Sequence, residues 1–197
     1  MRLQYIALRI GLARCVALVG RAFLRMFTHR RLTESEAAVL HAELKTTPNI
    51  LGYTVREILG FQDVLVAEVD GEFAAVCVSK DLLFGWTDIA VLYVLPAFRG
   101  SGLGTELYTA AWRRADGRAR HILTLSRSPQ VIHLMKRFGM KVSGSMFKAP
   151  LALHLHMNCH MTSLYRIGEA IRKSGLIKDG VPMVCGVRRH CGQSAHV

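Results

Sequence analysis

The chain has too few cysteines to build a disulfide framework: five, at positions 15, 77, 159, 185 and 191, with no C-x-x-C pair among them. That usage fits a reducing compartment, and a cytoplasmic setting is the expectation. Arginines interrupt every early apolar run, so no stretch approaches the roughly 18–20 uncharged residues of a membrane span. Acidic residues are absent from positions 1–33, which carry seven arginines, and no serine precedes position 35. There is no internal repeat and no low-complexity segment. The formal charge of +12 on 197 residues is therefore uneven, because positions 34–150 hold 13 basic against 12 acidic groups. A nearly neutral centre with basic ends argues against a nucleic-acid footprint spread over the folded surface. The length supports one core and not two.

What is present begins with an amphipathic segment. Tyr5, Leu8, Leu12, Val16, Val19 and Phe23 recur at spacings of three and four, with Arg14, Arg21 and Arg25 opposite, which predicts a basic N-terminal helix. Peripheral membrane contact, a mitochondrial presequence and a helix packed on the protein's own surface all suit it, and the missing serines count against the presequence. The expected plan is an extension over 1–26, a domain over 27–160, and a C-terminal helix with a basic tail over 161–197, packed on the domain.

From Phe27 the pattern alternates strands and helices. A short strand to Leu32 leads into Thr33-Glu34-Ser35-Glu36, a capping-box signature, and a helix to about Lys45. A second short helix covers Thr54 to Leu59. Asp63–Val69 and Glu72–Lys80 flank Asp70-Gly71, which predicts an antiparallel hairpin. Trp86–Leu95 is an apolar strand ended by Pro96. Helices are expected over Leu103–Arg114, Pro129–Phe138 and Ser163–Lys173, with a strand over His121–Ser126. In Lys141–Met157, Leu151, Leu153, Leu155 and Met157 alternate with Ala152, His154 and His156, which reads as a strand. The fold class is α/β with a mixed sheet.

The chemistry concentrates in Val94-Leu95-Pro96-Ala97-Phe98-Arg99-Gly100-Ser101-Gly102-Leu103-Gly104-Thr105, a glycine-rich turn between a strand and a helix. Glycines permit positive φ and close approach, and the unpaired N–H groups of a first helical turn favour phosphate. No Gly-Lys-Ser/Thr follows, so this is not a Walker loop. The third glycine and the distant acid of a dinucleotide fingerprint are missing as well.

At Arg99, Gly102 and Gly104, with Val94 and Pro96 before them and Leu107 after, the sequence resembles the GNAT family of N-acetyltransferases. That resemblance covers about Phe27 to Lys148 and implies a GNAT-like fold with acetyl-CoA as co-substrate. It further implies backbone contacts from Tyr93 and Val94 to the pantetheine arm, with N–H groups of Gly100, Ser101, Gly102, Leu103, Gly104 and Thr105 on the pyrophosphate. It implies direct transfer of the acetyl group to an amine, whose identity the sequence leaves open. The sequence departs from the family at Met135, where a tyrosine often protonates the departing thiolate. Water, Tyr93 or Tyr108 remain as donors, or the protein binds acyl-CoA without turnover.

An amine arriving as ammonium needs a base. Asp88 is the best-placed carboxylate, on the strand leading to the turn, and His154 and His156 are rivals, imidazole being the commonest general base. The histidines and cysteines of the C-terminal third lack the spacing of a zinc site, so no metal is expected. Oligomeric state is not legible.

Overall fold

A computed structural model describes residues 24–50, 52–160, 164–174 and 182–190. The N-terminal stripe from Tyr5 to Phe23 lies outside the described residues. In chain order the elements are β1 (Arg25–His29), α1 (Glu34–Thr46), α2 (Val55–Leu59), β2 (Asp63–Val69), β3 (Glu72–Asp81) and β4 (Trp86–Val94). They continue with α3 (Leu103–Gly117), β5 (His121–Ser126), α4 (Pro129–Arg137), β6 (Lys141–Ser143), α5 (Leu151–His160), α6 (Leu164–Ser174) and β7 (Val184–Arg188). The strands form one mixed sheet in the order β1-β2-β3-β4-β5-β7-β6.

Local chemistry sets the boundaries. Thr33 Oγ1 accepts from Glu36 N–H at 3.3 Å while the Glu36 carboxylate accepts from Thr33 N–H at 2.8 Å, so α1 starts where the capping box predicts. Such a cap contributes about 1 kcal/mol. Thr54 and Glu57 repeat the device at α2. The β2–β3 turn places Asp70 and Gly71 at φ of 52° and 82°, the left-handed pair of a tight hairpin.

The sheet buries both faces. Leu40, Leu44 and Ile58 of α1 and α2 meet Val64, Val66, Val76, Val78 and Val91 on one face. Leu103, Leu107, Trp112 and Leu134 of α3 and α4 meet Leu65, Ala67, Cys77, Ile89 and Ile122 on the other. The α1 face also carries α5, whose Ala152 and Leu153 pack on Trp86, Leu123 and Cys185. Lys173 of α6 donates to the carbonyls of Leu44 and Ile50, each at 2.5 Å, and Arg172 donates to Lys45 O at 2.8 Å. These cations meet the end of α1 where carbonyls lack intrahelical partners.

Two expectations need correction. Leu151–His160, anticipated as a strand, is the helix α5. Its buried side is Ala152 and Leu153, with His156 and Met157 one turn on, a spacing of three and four rather than two. Residues 184–188, expected in a tail packed on the domain, lie inside the sheet as β7, between β5 and β6.

Candidate active site

The site is made by a failure of strand pairing. β4 and β5 run parallel and pair only at Trp86/His121, Thr87/Ile122 and Asp88/Leu123, yet they continue to Val94 and Ser126. Beyond Asp88 they diverge and open a gap through the sheet. On the β3 side the register skips between Val78 and Ser79, leaving Ala90 as the extra residue of a bulge in β4. Ile89 is the first β4 residue beyond the pairing with β5.

A cleft of about 1210 Å³ fills this gap and reaches both faces of the sheet. On the α3 side it is floored by the glycine turn and walled by α4 residues Val131 and Leu134. On the α1 side it meets Tyr53, Asp88, His156, Met157 and Arg166.

The turn is shaped for an anion. Gly100 and Gly102 have φ of 78° and 89°, a region that side chains resist. Thr105 N–H and Glu106 N–H both return to Gly102 O, at 3.0 and 3.1 Å, so the N–H groups of Leu103 and Gly104 have no helical carbonyl behind them. A Cβ at Gly104 would stand 3.4 Å from Val94 Cγ2, an ordinary contact, so the start of the helix lies against the end of the strand. Ser101 turns its hydroxyl inward, donating to Phe98 O at 2.5 Å.

Val94 and Tyr93 differ in what they offer. Leu95 N–H donates to Ala74 O at 2.9 Å, which makes Val94 and Ala75 a non-hydrogen-bonded pair. The backbone groups of Val94 and Leu92 therefore point into the gap. Those of Tyr93 point toward Val76 on β3, away from the gap into which the resemblance would have them reach. Tyr93 instead uses its side chain: its hydroxyl donates to Glu43 at 2.6 Å and accepts from Arg99 Nη2 at 3.0 Å. Burial, and then Glu43, push that phenol up to about 12. Arg99 also donates through Nε to Val94 O at 3.2 Å, so the motif arginine lies back along β4.

Asp88 stands at the vertex of the gap, 6 % exposed, with its Oδ1 buried and unpartnered among the described residues. Burial raises its pKa to about 7, and the Lys80 cation restrains that rise. Lys80 is its cross-strand partner on β3. Burial in turn lowers Lys80 to about 8, against the pull of Asp88. Its ammonium lies 4.6 Å from the centre of the Tyr53 ring. Neither Lys80 nor Tyr53 was legible as a site residue, because their sequence neighbourhoods carry no motif.

Of the two histidines, His156 lines the cleft and His154 does not, a consequence of α5 being helical. Met135, in the position where a tyrosine was sought, is fully buried and packs against β7, where a Cβ at Gly186 would lie 2.8 Å from its sulfur. Tyr108 is nearer to use. Its hydroxyl is 3.2 Å from Thr124 Oγ1, and both residues line the cleft. Burial pushes its pKa well above the ordinary phenol value.

The family model described as the acetyltransferase (GNAT) family matches residues 24–140, more than half of the chain. This chain belongs to the GNAT acetyltransferase family. No curated protein matches it as a relative. Among solved structures, N-acetylglutamate synthase from Neisseria gonorrhoeae, complexed with coenzyme A and N-acetyl-glutamate, superposes with a TM-score of 0.61 at 16% identity. That match covers 87% of this chain and 36% of that one, so the chain spans about a third of the synthase. The protein yncA from Salmonella typhimurium, solved with acetyl-CoA, gives 0.56 at 16% identity over 86% of this chain and 96% of its own. Rv2747 from Mycobacterium tuberculosis, solved with CoA, gives 0.54 at 17% identity over 82% and 99%. At these identities the likeness is one of fold. The strand, glycine turn and helix of the site thus lie within a GNAT fold, with Met135 in its core.

Proposed function

We propose that the protein is an acetyl-CoA-dependent N-acetyltransferase that passes the acetyl group directly to an amine. The observation that carries this reading is the divergence of β4 and β5 after Asp88. It leaves a phosphate-shaped turn on one face of the sheet and a buried carboxylate on the other, joined by one cleft. The pyrophosphate would rest on the turn from Gly100 to Thr105, and the pantetheine arm would pair with the exposed backbone of Leu92 and Val94, as a strand would. The acetyl group then reaches the vertex, where the amine approaches from the α1 face.

Asp88 takes the ammonium proton, and the free amine attacks the thioester carbonyl. The inward N–H groups of β4 support the oxyanion. The C–S bond breaks and the thiolate takes a proton, with Tyr108 as the donor on the cleft wall. No covalent enzyme intermediate is needed. Calorimetric titration with acetyl-CoA, followed by a thiol-release assay against a mixed amine pool, tests the reading. Absence of acetyl-CoA binding would sink it.

A rival reading, an acyl-CoA-binding module without turnover, draws on Met135, whose side chain neither reaches the cleft nor carries a proton to give. Tight binding with no thiol released by any amine would favour it.

A further inference from the structure

The α1 side of the cleft holds a cation that acetyl transfer does not require. Arg166, in the first turn of α6, is 3 % exposed yet lines the cleft. Its guanidinium lies 4.6 Å from the centre of the Tyr53 ring, and Nη2 donates to Glu57 Oε1 at 2.7 Å. Glu57 is already committed elsewhere. Its Oε2 accepts from Thr54 N–H at 2.8 Å and from Thr54 Oγ1 at 3.0 Å to close the α2 cap, so it meets Arg166 with one oxygen. An arginine presents five N–H donors in a planar fork suited to both oxygens of a carboxylate. Beyond its bond to Glu57 this guanidinium also interacts with the Tyr53 side chain, and neither contact engages the fork with a pair of carboxylate oxygens.

Charge balance points the same way. Lys80 shares the Tyr53 ring with Arg166, so two cations face one phenol with Glu57 and Asp88 as their anions. Once Asp88 has taken the amine proton, this wall holds two positive charges against one negative. Buried charge of that kind is costly unless the ligand balances it. The phosphates of the cofactor cannot, because their turn opens on the opposite face of the sheet, with α3.

Resting on the acetyl-transfer reading, we propose that the acceptor is a small amino acid whose carboxylate docks on Arg166 while its amine faces Asp88. The carboxylate takes the guanidinium fork that Glu57 leaves, Tyr53 forms the apolar floor beneath it, and the amine is thereby aimed at the vertex.

The test uses the full chain with acetyl-CoA in a thiol-release assay. A panel of L-amino acids is compared with the corresponding α-carboxamides and with n-butylamine. The expected result is a kcat/KM for the preferred amino acid about 10–100-fold above that of its carboxamide. Arg166→Met should erase that preference through KM while acetyl-CoA affinity holds, and Arg166→Lys should recover part of it. Equal kcat/KM for acid and carboxamide would overturn the proposal. So would a preference for succinyl-CoA over acetyl-CoA with n-butylamine, which puts the anion on the donor. Loss of acetyl-CoA binding in both Arg166 variants would assign the residue to docking α6 and also overturn it. Acetyl-CoA binding by the wild type with no amino acid turned over defeats this inference alone, whereas no acetyl-CoA binding defeats the reading beneath it.

Discussion

Lys80 and Asp88 are cross-strand partners on β3 and β4, and Asp88 is also the last residue at which β4 pairs with β5. The buried carboxylate thus occupies the point where the sheet opens, with a cation beside it that keeps part of its charge affordable. Burial and Lys80 act in opposite directions, and the outcome is a base poised about 7. A base near neutrality combines a useful ionised fraction with the strength to take an ammonium proton.

Replacing this group separates its catalytic and structural effects. Asp88→Asn is expected to lower kcat/KM by roughly 10²–10⁴-fold with acetyl-CoA affinity nearly unchanged. Its effect on stability runs the other way. The folded pKa is raised, so the stabilising contribution is full below the ordinary carboxylate pKa of 3.8 and is lost as pH rises through about 7. At pH 8 the wild type carries a buried charge that asparagine does not. The variant should therefore be more resistant to heat at pH 8, by up to roughly 4 kcal/mol, and little different at pH 4. Melting curves at both values check this.

Lys80 offers a test that leaves the base in place. Removing its cation by Lys80→Met leaves burial unopposed at Asp88, so the carboxylate should titrate higher still. The acid limb of the kcat/KM profile is expected to move up by about 1 pH unit or more. An unmoved limb would take Asp88 out of the proton path and turn attention to His156.

The glycine turn and the elements around it were legible because their signals are local. A capping box, an Asp-Gly hairpin and a strand-glycine-helix run each act within a few residues, and the structure forms them at Thr33, Asp70 and Gly102. Helix α5 was misread because Leu151, Leu153, Leu155 and Met157 alternate by chance. The residue types were the better guide, since Leu151–His160 has three leucines and no β-branched residue. Strand β7 escaped for another reason. Its pairing is non-local, and Gly186 weakens its strand pattern where Met135 needs the space. Arg166 carried no signal at all, because its neighbours come together only when α6 docks beside α2.

At the turn itself, Gly102→Asp places a side chain at φ 89°, within reach of Glu106 Oε1, which lies 3.7 Å from the Cβ position. A new carboxylate would then stand where a pyrophosphate is proposed to bind, beside Glu106, whose own charge is paired with Arg25 at 2.7 Å. Acetyl-CoA affinity should fall by at least about 100-fold, equivalent to a little under 3 kcal/mol by the usual conversion. Calorimetry reads this directly, and equal affinity would remove the turn from the cofactor site.

The thiolate's proton distinguishes Tyr108 from Met135. Tyr108 lines the cleft and stays protonated because burial raises its pKa; its hydroxyl sits against Thr124 and donates to the weakly accepting Met140 sulfur at 3.3 Å. Tyr93 is a poorer donor, since its hydroxyl is held between Glu43 and Arg99. Tyr108→Phe removes one oxygen and keeps the ring that packs against Phe138, whose centroid is 5.5 Å away. The expected result is a kcat lower by roughly 10²-fold with the KM for acetyl-CoA unchanged. Restoring the family's tyrosine is expected to fail. Met135→Tyr forces a larger ring against Gly186, and overpacking of this kind costs about 1–3 kcal/mol. A lower melting temperature with no gain in turnover would fit a core role for Met135. A faster enzyme of wild-type stability would show instead that the cleft reaches that position and that Tyr108 is not the donor.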